Sequence, residues 1–163
     1  MSPRPRYLEL LRALASQGVS FIVVGGVAAV LEGAPITTLD LGVLYDRRTE
    51  NLERILAVLD ALQARYRDPA GREIHPNRER LENLRIPFLL TELGPLDLLT
   101  EVGHGWIYDD RLPAPTVRTV GELEVRVLAL RKLIEVKEIA GRDKDRAMLP
   151  LLRRALELQA AGN

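Results

Sequence analysis

Val19 to Val24 is the stretch that most constrains this chain. Phe21, Ile22, Val23 and Val24 form a short, almost uninterrupted apolar run rich in β-branching, and they predict a strand buried on both faces. Gly25-Gly26 breaks the run, and Val27 to Leu31 can begin a small helix before Gly33 and Pro35. A second strand is expected from Leu39 to Tyr45. There Leu39, Leu41, Val43 and Tyr45 share one face, while Asp40, Gly42 and Leu44 share the other. A strand that must be covered on both sides needs helices around it, and the rest of the chain supplies them.

Tyr7 to Ser16 reads as an amphipathic helix stopped by Gly18. Thr49 is expected to cap a helix whose stripe holds Leu52, Ile55, Leu56, Leu59 and Leu62. The charged stretch 65–85 reads as a solvated loop with a short helix near Arg78 to Leu84. Ile86 to Thr91 and Leu96 to Val102 read as strands around a Gly94-Pro95 turn. An irregular region around Gly103-His104-Gly105, Pro113 and Pro115 precedes a strand at Leu123 to Val127. Helices are expected over Leu128 to Ala140 and Asp143 to Ala160, the second kinked or restarted at Pro150. The expected architecture is a single α/β (α+β) domain over residues 1–163, with a small mixed sheet and a helical C-terminal end.

Composition narrows the chemistry. The 163 residues are 47% hydrophobic, enough for a sizeable core, and Lys+Arg 23 balances Asp+Glu 23. That balance argues against a strongly basic nucleic-acid-binding surface. The absence of cysteine excludes disulfides, thiolate metal sites and cysteine nucleophiles. Serine occurs only at Ser2, Ser16 and Ser20, outside any nucleophile elbow. The longest nearly apolar run, Val19 to Leu31, contains two glycines and is shorter than the ~20 residues of a membrane span. A soluble, cytoplasmic protein without a membrane partner is expected.

Glycines at the end of a buried strand let a phosphate approach backbone N–H groups, although a tight turn alone would also need them. Asp40 and Asp97 are isolated carboxylates in apolar strands, where acidic residues are depleted. Either they point to water at strand edges, or they hold a cation such as magnesium, which needs rigid carboxylate oxygens. His104, between two glycines and near Trp106 and Tyr108, either lines a pocket or sits on a surface turn.

The segment from Phe21 to Gly33, with Thr37-Thr38-Leu39-Asp40-Leu41-Gly42-Val43, resembles the signature of the nucleotidyltransferase superfamily, which includes DNA polymerase β and the aminoglycoside nucleotidyltransferases. Leu133 to Lys137 with Gly141 to Asp145 resembles C-terminal motifs of its minimal, abortive-infection toxin-like branch. The resemblance implies a nucleotidyltransferase-like fold and metal-dependent transfer of a nucleoside monophosphate from an NTP to an acceptor, RNA or protein. It implies Asp40 and Asp97 as catalytic metal ligands for magnesium or manganese. It also implies Gly25, Gly26, Thr38, Lys137 and Arg142 as nucleotide contacts. The pattern has a second carboxylate two residues after the first, and here that residue is Gly42. Residues i and i+2 lie about 6.6 Å apart on one side of a strand, so that pair, with a third carboxylate, can hold two ions. Asp46 has the right parity but lies too far along the strand to replace it. The alternative implied is a catalytically degenerate nucleotide-binding module or a toxin–antitoxin partner.

Overall fold

A computed structural model describes residues 6–83, 88–109 and 115–162. Among them one seven-stranded mixed sheet is flanked by six helices. The chain runs α1 (Tyr7–Ser16), β1 (Phe21–Val24), α2 (Gly25–Leu31), β2 (Leu41–Tyr45), α3 (Thr49–Ala61), β3 (Arg65–Tyr66) and α4 (Arg78–Asn83). It continues through β4 (Phe88–Thr91), β5 (Gly94–Leu99), β6 (Thr116–Val120), β7 (Leu123–Val127), α5 (Leu130–Ala140) and α6 (Asp143–Ala161). The strand order is β3-β4-β5-β2-β1-β7-β6. Every residue of β1 and β2 is buried, as their continuous apolar sequences demand of strands at the sheet centre. No described helix is long and apolar enough to cross a membrane.

Several boundaries differ from the sequence expectation for identifiable reasons. Both Gly25 and Gly26 lie inside α2 rather than in a turn before it, and Gly25 has φ +69. A left-handed first residue lets β1 pass into a helix with no intervening loop. Strand β2 begins at Leu41, and Leu39 is exposed. Thr49 is the first residue of α3 rather than its cap. The preceding bend is held by Asp46, whose Oδ1 accepts a hydrogen bond from the Arg48 amide at 3.0 Å. The β4–β5 reversal falls at Glu92-Leu93, so Gly94 and Pro95 belong to β5. Residues 84–87, including the expected strand start Ile86, lie outside the described residues. Strands β3 and β6 were not expected. β3 is only two residues long, and β6 is a half-exposed edge strand without a strong apolar stripe.

The C-terminal helices are joined at one buried carboxylate. Gly141 ends α5 in the left-handed conformation, with φ 61. Arg142 then begins a capping arrangement. Its Nε donates to Asp145 Oδ2 at 2.6 Å, and its backbone N–H donates to the same oxygen at 3.2 Å. Lys137 Nζ, from the last turn of α5, donates to Asp145 Oδ1 at 3.1 Å. Burial would raise the Asp145 carboxyl, but hydrogen bonds and charge from Arg142 and Lys137 outweigh it and hold it at about 2. α6 then runs unbroken through Pro150, which is exposed. The expected restart is absent.

Replacing Asp145 with Asn should cost about 3 kcal/mol in denaturant unfolding, because the largely buried Lys137 ammonium would keep no counter-charge. A carboxyl held below its unfolded value adds stability above about pH 4 and loses it as pH falls toward 2. Acid melts of the parent should therefore decline across that window, and the Asn variant should decline less.

Candidate functional site

Strand pairing assembles the site. β1 and β2 are antiparallel with Val24 opposite Gly42, and β2 and β5 are parallel with Gly42 opposite Asp97. β5 and β4 are antiparallel with Phe88 opposite Asp97. Arg67 follows β3, and its backbone N–H donates to the Phe88 carbonyl at 3.1 Å. Directly opposed residues share a face. Val24, Gly42, Asp97, Phe88 and Arg67 therefore form one row across the sheet. The register is regular at Gly42, so this glycine marks no bulge.

The row floors a cleft of about 580 Å³. Its walls come from Gly25 and Gly26 of α2, from Thr38 and Asp40 before β2, and from Lys137, Arg142 and Lys144 at the α5–α6 joint. All seven residues proposed from the sequence thus border one space. Thr38 lies against α2 so closely that a Cβ on Gly26 would stand 2.7 Å from Thr38 Oγ1 and 3.0 Å from its Cβ. Only glycine fits at 26 without moving Thr38, whose hydroxyl is 3.5 Å from the Asp40 carbonyl. The strand–helix junction and the segment leading to Asp40 are therefore one packed unit.

Asp40 and Asp97 converge on a single atom. Arg67 Nη2 is 3.5 Å from Asp40 Oδ2 and 3.5 Å from Asp97 Oδ1, so the two oxygens lie no further apart than twice that distance. Asp40 is half-exposed, whereas the Asp97 side chain is only 20% exposed. Burial raises the Asp97 carboxyl to about 6. Arg67 and Lys144 pull it down, and the Asp40 charge pushes it up. The contacts to Arg67 are long for hydrogen bonds. Asp97 Oδ1 and Arg67 Nε and Nη2 are buried without hydrogen-bond partners; among the described residues, the one other side-chain atom in that condition is the neighbouring Tyr66 Oη. Unsatisfied polar atoms are rare in folded proteins and costly. Here three of the four, on Asp97 and Arg67, meet at one end of the row.

These positions bear on a metal. Asp40 and Asp97, which both reach one guanidinium nitrogen at 3.5 Å, are the residues that would hold one divalent cation, with the orphaned Asp97 Oδ1 as a ligand atom; ligand distances of about 2.1 Å require the two carboxylates to close in on it. A pair of ions does not fit: Gly42 offers no oxygen from its side chain, and no cluster of three ligating side chains exists among the described residues. Asp46 lies at the far end of β2, bound to Arg48 at 2.6 Å.

The cations divide into two groups. Lys137 and Arg142 border the cleft with their charge directed at Asp145. Lys144 is exposed, has no ion pair among the described residues, and is close enough to act on Asp97. Arg67 was read from the sequence as part of a solvated loop. The signal that could have exposed it is the alternation of apolar Ala64, charged Arg65 and aromatic Tyr66, a short strand pattern that runs directly into Arg67. His104 does not border the cleft. It is exposed on a turn closed by Val102 and Trp106, with its ring edge-on to Trp106 at 6.4 Å.

No protein-family model matches the chain, and no curated sequence does. Solved structures do match in shape. A solution structure of the antibiotic-resistance factor ANT(2'')-Ia aligns with TM-score 0.57 at 12% identity, covering 93% of this chain and 82% of that one. A crystal structure of ANT(2'')-Ia with adenylyl-2''-tobramycin aligns with TM-score 0.55 at 13% identity, covering 95% and 93%. At that identity the likeness is one of fold. The mixed sheet and its flanking helices form a nucleotidyltransferase-like fold.

Proposed function

We propose that this protein is a nucleotidyltransferase-class protein whose cleft binds an NTP and presents its α-phosphate to an acceptor hydroxyl. The observation that carries this reading is the convergence of Asp40 and Asp97 on one point beside Gly25 and Gly26. In the transfer, the acceptor oxygen bonds to the α-phosphorus, the α–β phosphoanhydride breaks, and pyrophosphate leaves. The hydroxyl proton passes to solvent. Asp40 and Asp97 are the residues that would hold one magnesium or manganese ion, which when bound supplies positive charge to the oxygens reacting at phosphorus. Gly25 and Gly26, free of side chains, let phosphate oxygens reach the start of α2. Lys137 and Arg142 shape the wall through Asp145, and Lys144 offers the unpaired ammonium.

The acceptor is read as a hydroxyl on RNA or protein. Four cations and two carboxylates border the cleft, an arrangement that suits an anionic ligand better than a polycation. A second reading, nucleotide binding without turnover, is favoured by Gly42, which removes one carboxylate from the row. A toxin–antitoxin partner would fit either reading.

Incubating the protein with each labelled NTP, magnesium or manganese, and total RNA, cell protein or tobramycin tests both readings. A labelled acceptor, lost with Asp97→Asn, supports transfer. NTP binding with no labelled product supports the second reading, and no binding of any NTP refutes both.

Asp97→Asn should also change stability in a pH-dependent way. A carboxyl raised from 3.8 to about 6 binds its proton more tightly in the folded chain. Its contribution is therefore fully present below about pH 4 and lost as pH rises through 6. In metal-free buffer the Asn variant should melt a few degrees above the parent at pH 7–8. That advantage should vanish at pH 4.

Gly42→Asp should restore a carboxylate in the row. A Cβ at 42 would meet Val24 O at 3.5 Å and Val24 Cγ2 at 3.6 Å, which are ordinary contacts. The variant should be less stable than the parent in chelator, through repulsion with Asp40 and Asp97, and should regain stability with manganese by mass action. Thermal melts with and without metal would read this. No metal-dependent gain over the parent would show that position 42 is not a ligand position.

A further inference from the structure

Arg67 occupies the end of the row that the sequence signature does not describe. Its guanidinium lies over the Phe88 ring, with Cζ 5.8 Å from the ring centroid, and Nη2 touches Asp40 and Asp97 at the 3.5 Å already given. Nε and Nη2 are both shielded from solvent and both without acceptors. They are adjacent donors of one rigid fork, the geometry that grips a phosphate through two parallel hydrogen bonds. Ordinary surface arginines in this chain are satisfied differently: Arg12, Arg72 and Arg118 each fork onto a carboxylate at 3.1 Å or less. Arg67 is held among acids without being satisfied by them.

The charge pattern around it is equally specific. A site with three carboxylates repels a triphosphate until divalent ions neutralise it. In this row Gly42 leaves two carboxylates, and the Arg67 guanidinium stands beside both. Counting Asp145 with the two cations it binds, the groups bordering the cleft carry one net positive charge. Lys144, which has no ion pair among the described residues, acts on Asp97 from the same cleft.

We propose that Arg67 is a phosphate-binding residue whose guanidinium supplies the positive charge that divalent ions would otherwise bring to the phosphates, so that binding of a nucleoside triphosphate, as distinct from transfer, requires no divalent cation. The proposal rests on the nucleotide reading above and deepens it: Gly42 and Arg67 form a matched pair, one charge removed and the opposite charge supplied. On ligand entry the side chain, itself 37% exposed, turns its fork from the wall into the cleft, where phosphate oxygens satisfy Nε and Nη2 while the guanidinium keeps its contact with the Phe88 ring.

The test is calorimetric titration of the full chain with the β,γ-imido analogues of ATP and GTP, in EDTA and again in magnesium. The parent should bind an analogue in EDTA. Arg67→Gln should weaken that binding by about tenfold or more and should make the remaining binding depend on magnesium. Arg67→Lys, which keeps the charge and loses the fork, should retain binding in EDTA at reduced affinity; it also serves if the Gln variant does not fold. A parent that binds only with magnesium overturns the proposal and leaves the nucleotide reading standing. So does an Arg67→Gln variant that binds in EDTA as tightly as the parent. Failure of both analogues to bind the parent, in EDTA and in magnesium alike, refutes the nucleotide reading and this proposal together. A second readout is thermal: with the guanidinium gone, Asp40 and Asp97 are unscreened, so manganese should raise the melting temperature of Arg67→Gln more than that of the parent. Equal shifts would show that Arg67 does not stand in for a cation.

Discussion

Parallel pairing of β2 with β5 is the constraint on which the rest of the molecule depends. It sets Gly42 against Asp97 and brings Asp40 to the same edge. Parallel strands cannot be joined by a hairpin, so the chain between Tyr45 and Gly94 must cross over and return. That crossover carries α3, β3, α4 and β4, and its β3–β4 pairing delivers Arg67 to the row. The residue most intimate with the two carboxylates is thus a by-product of the connection that aligns their strands.

The electrostatics of the cleft follow from depth. Asp145 is fully buried, yet two donors with matched geometry hold it ionised. Asp97 is more exposed, yet it is pushed the other way because its nearest cation stands at 3.5 Å without hydrogen-bond geometry. Burial sets the size of each effect, and hydrogen bonding decides its sign. The first carboxylate is a structural joint. The second is left incompletely satisfied at the floor of an open cleft, where a ligand can reach it.

Much of this was legible from residue order. The β1 run, the Gly25-Gly26 junction, the helical stripes of α1, α3 and α5, and the carboxylates at 40 and 97 all announce themselves through strong local patterns. The Gly94-Pro95 turn was misplaced because β5 tolerates a glycine and a proline at its start, before its pairing with β2 begins at Leu96. Strands β3 and β6 escaped notice because edge strands owe their form to a partner rather than to their own composition. Lys137 and Arg142 were legible as candidates, and they border the cleft, but their attachment to Asp145 was not, since a helix-joining ion pair depends on how α5 and α6 meet. Arg67 is hidden among neighbouring arginines that do nothing comparable, and the short alternation at Ala64 to Tyr66 is too brief a pattern to single it out without the fold.

The contact between Gly26 and Thr38 has a consequence for how this chain can vary. With Thr38 Oγ1 only 2.7 Å and Thr38 Cβ 3.0 Å from where a Cβ at 26 would stand, position 26 is not free while Thr38 is kept. A larger residue at 26 requires the segment at 38 to retreat, and Asp40 lies two residues beyond it. Drift at a seven-residue helix is therefore tied to the placement of a carboxylate. Among descendants of this sequence, a side chain at 26 should appear only where residue 38 has changed as well, whereas residue 38 can change while Gly26 stays.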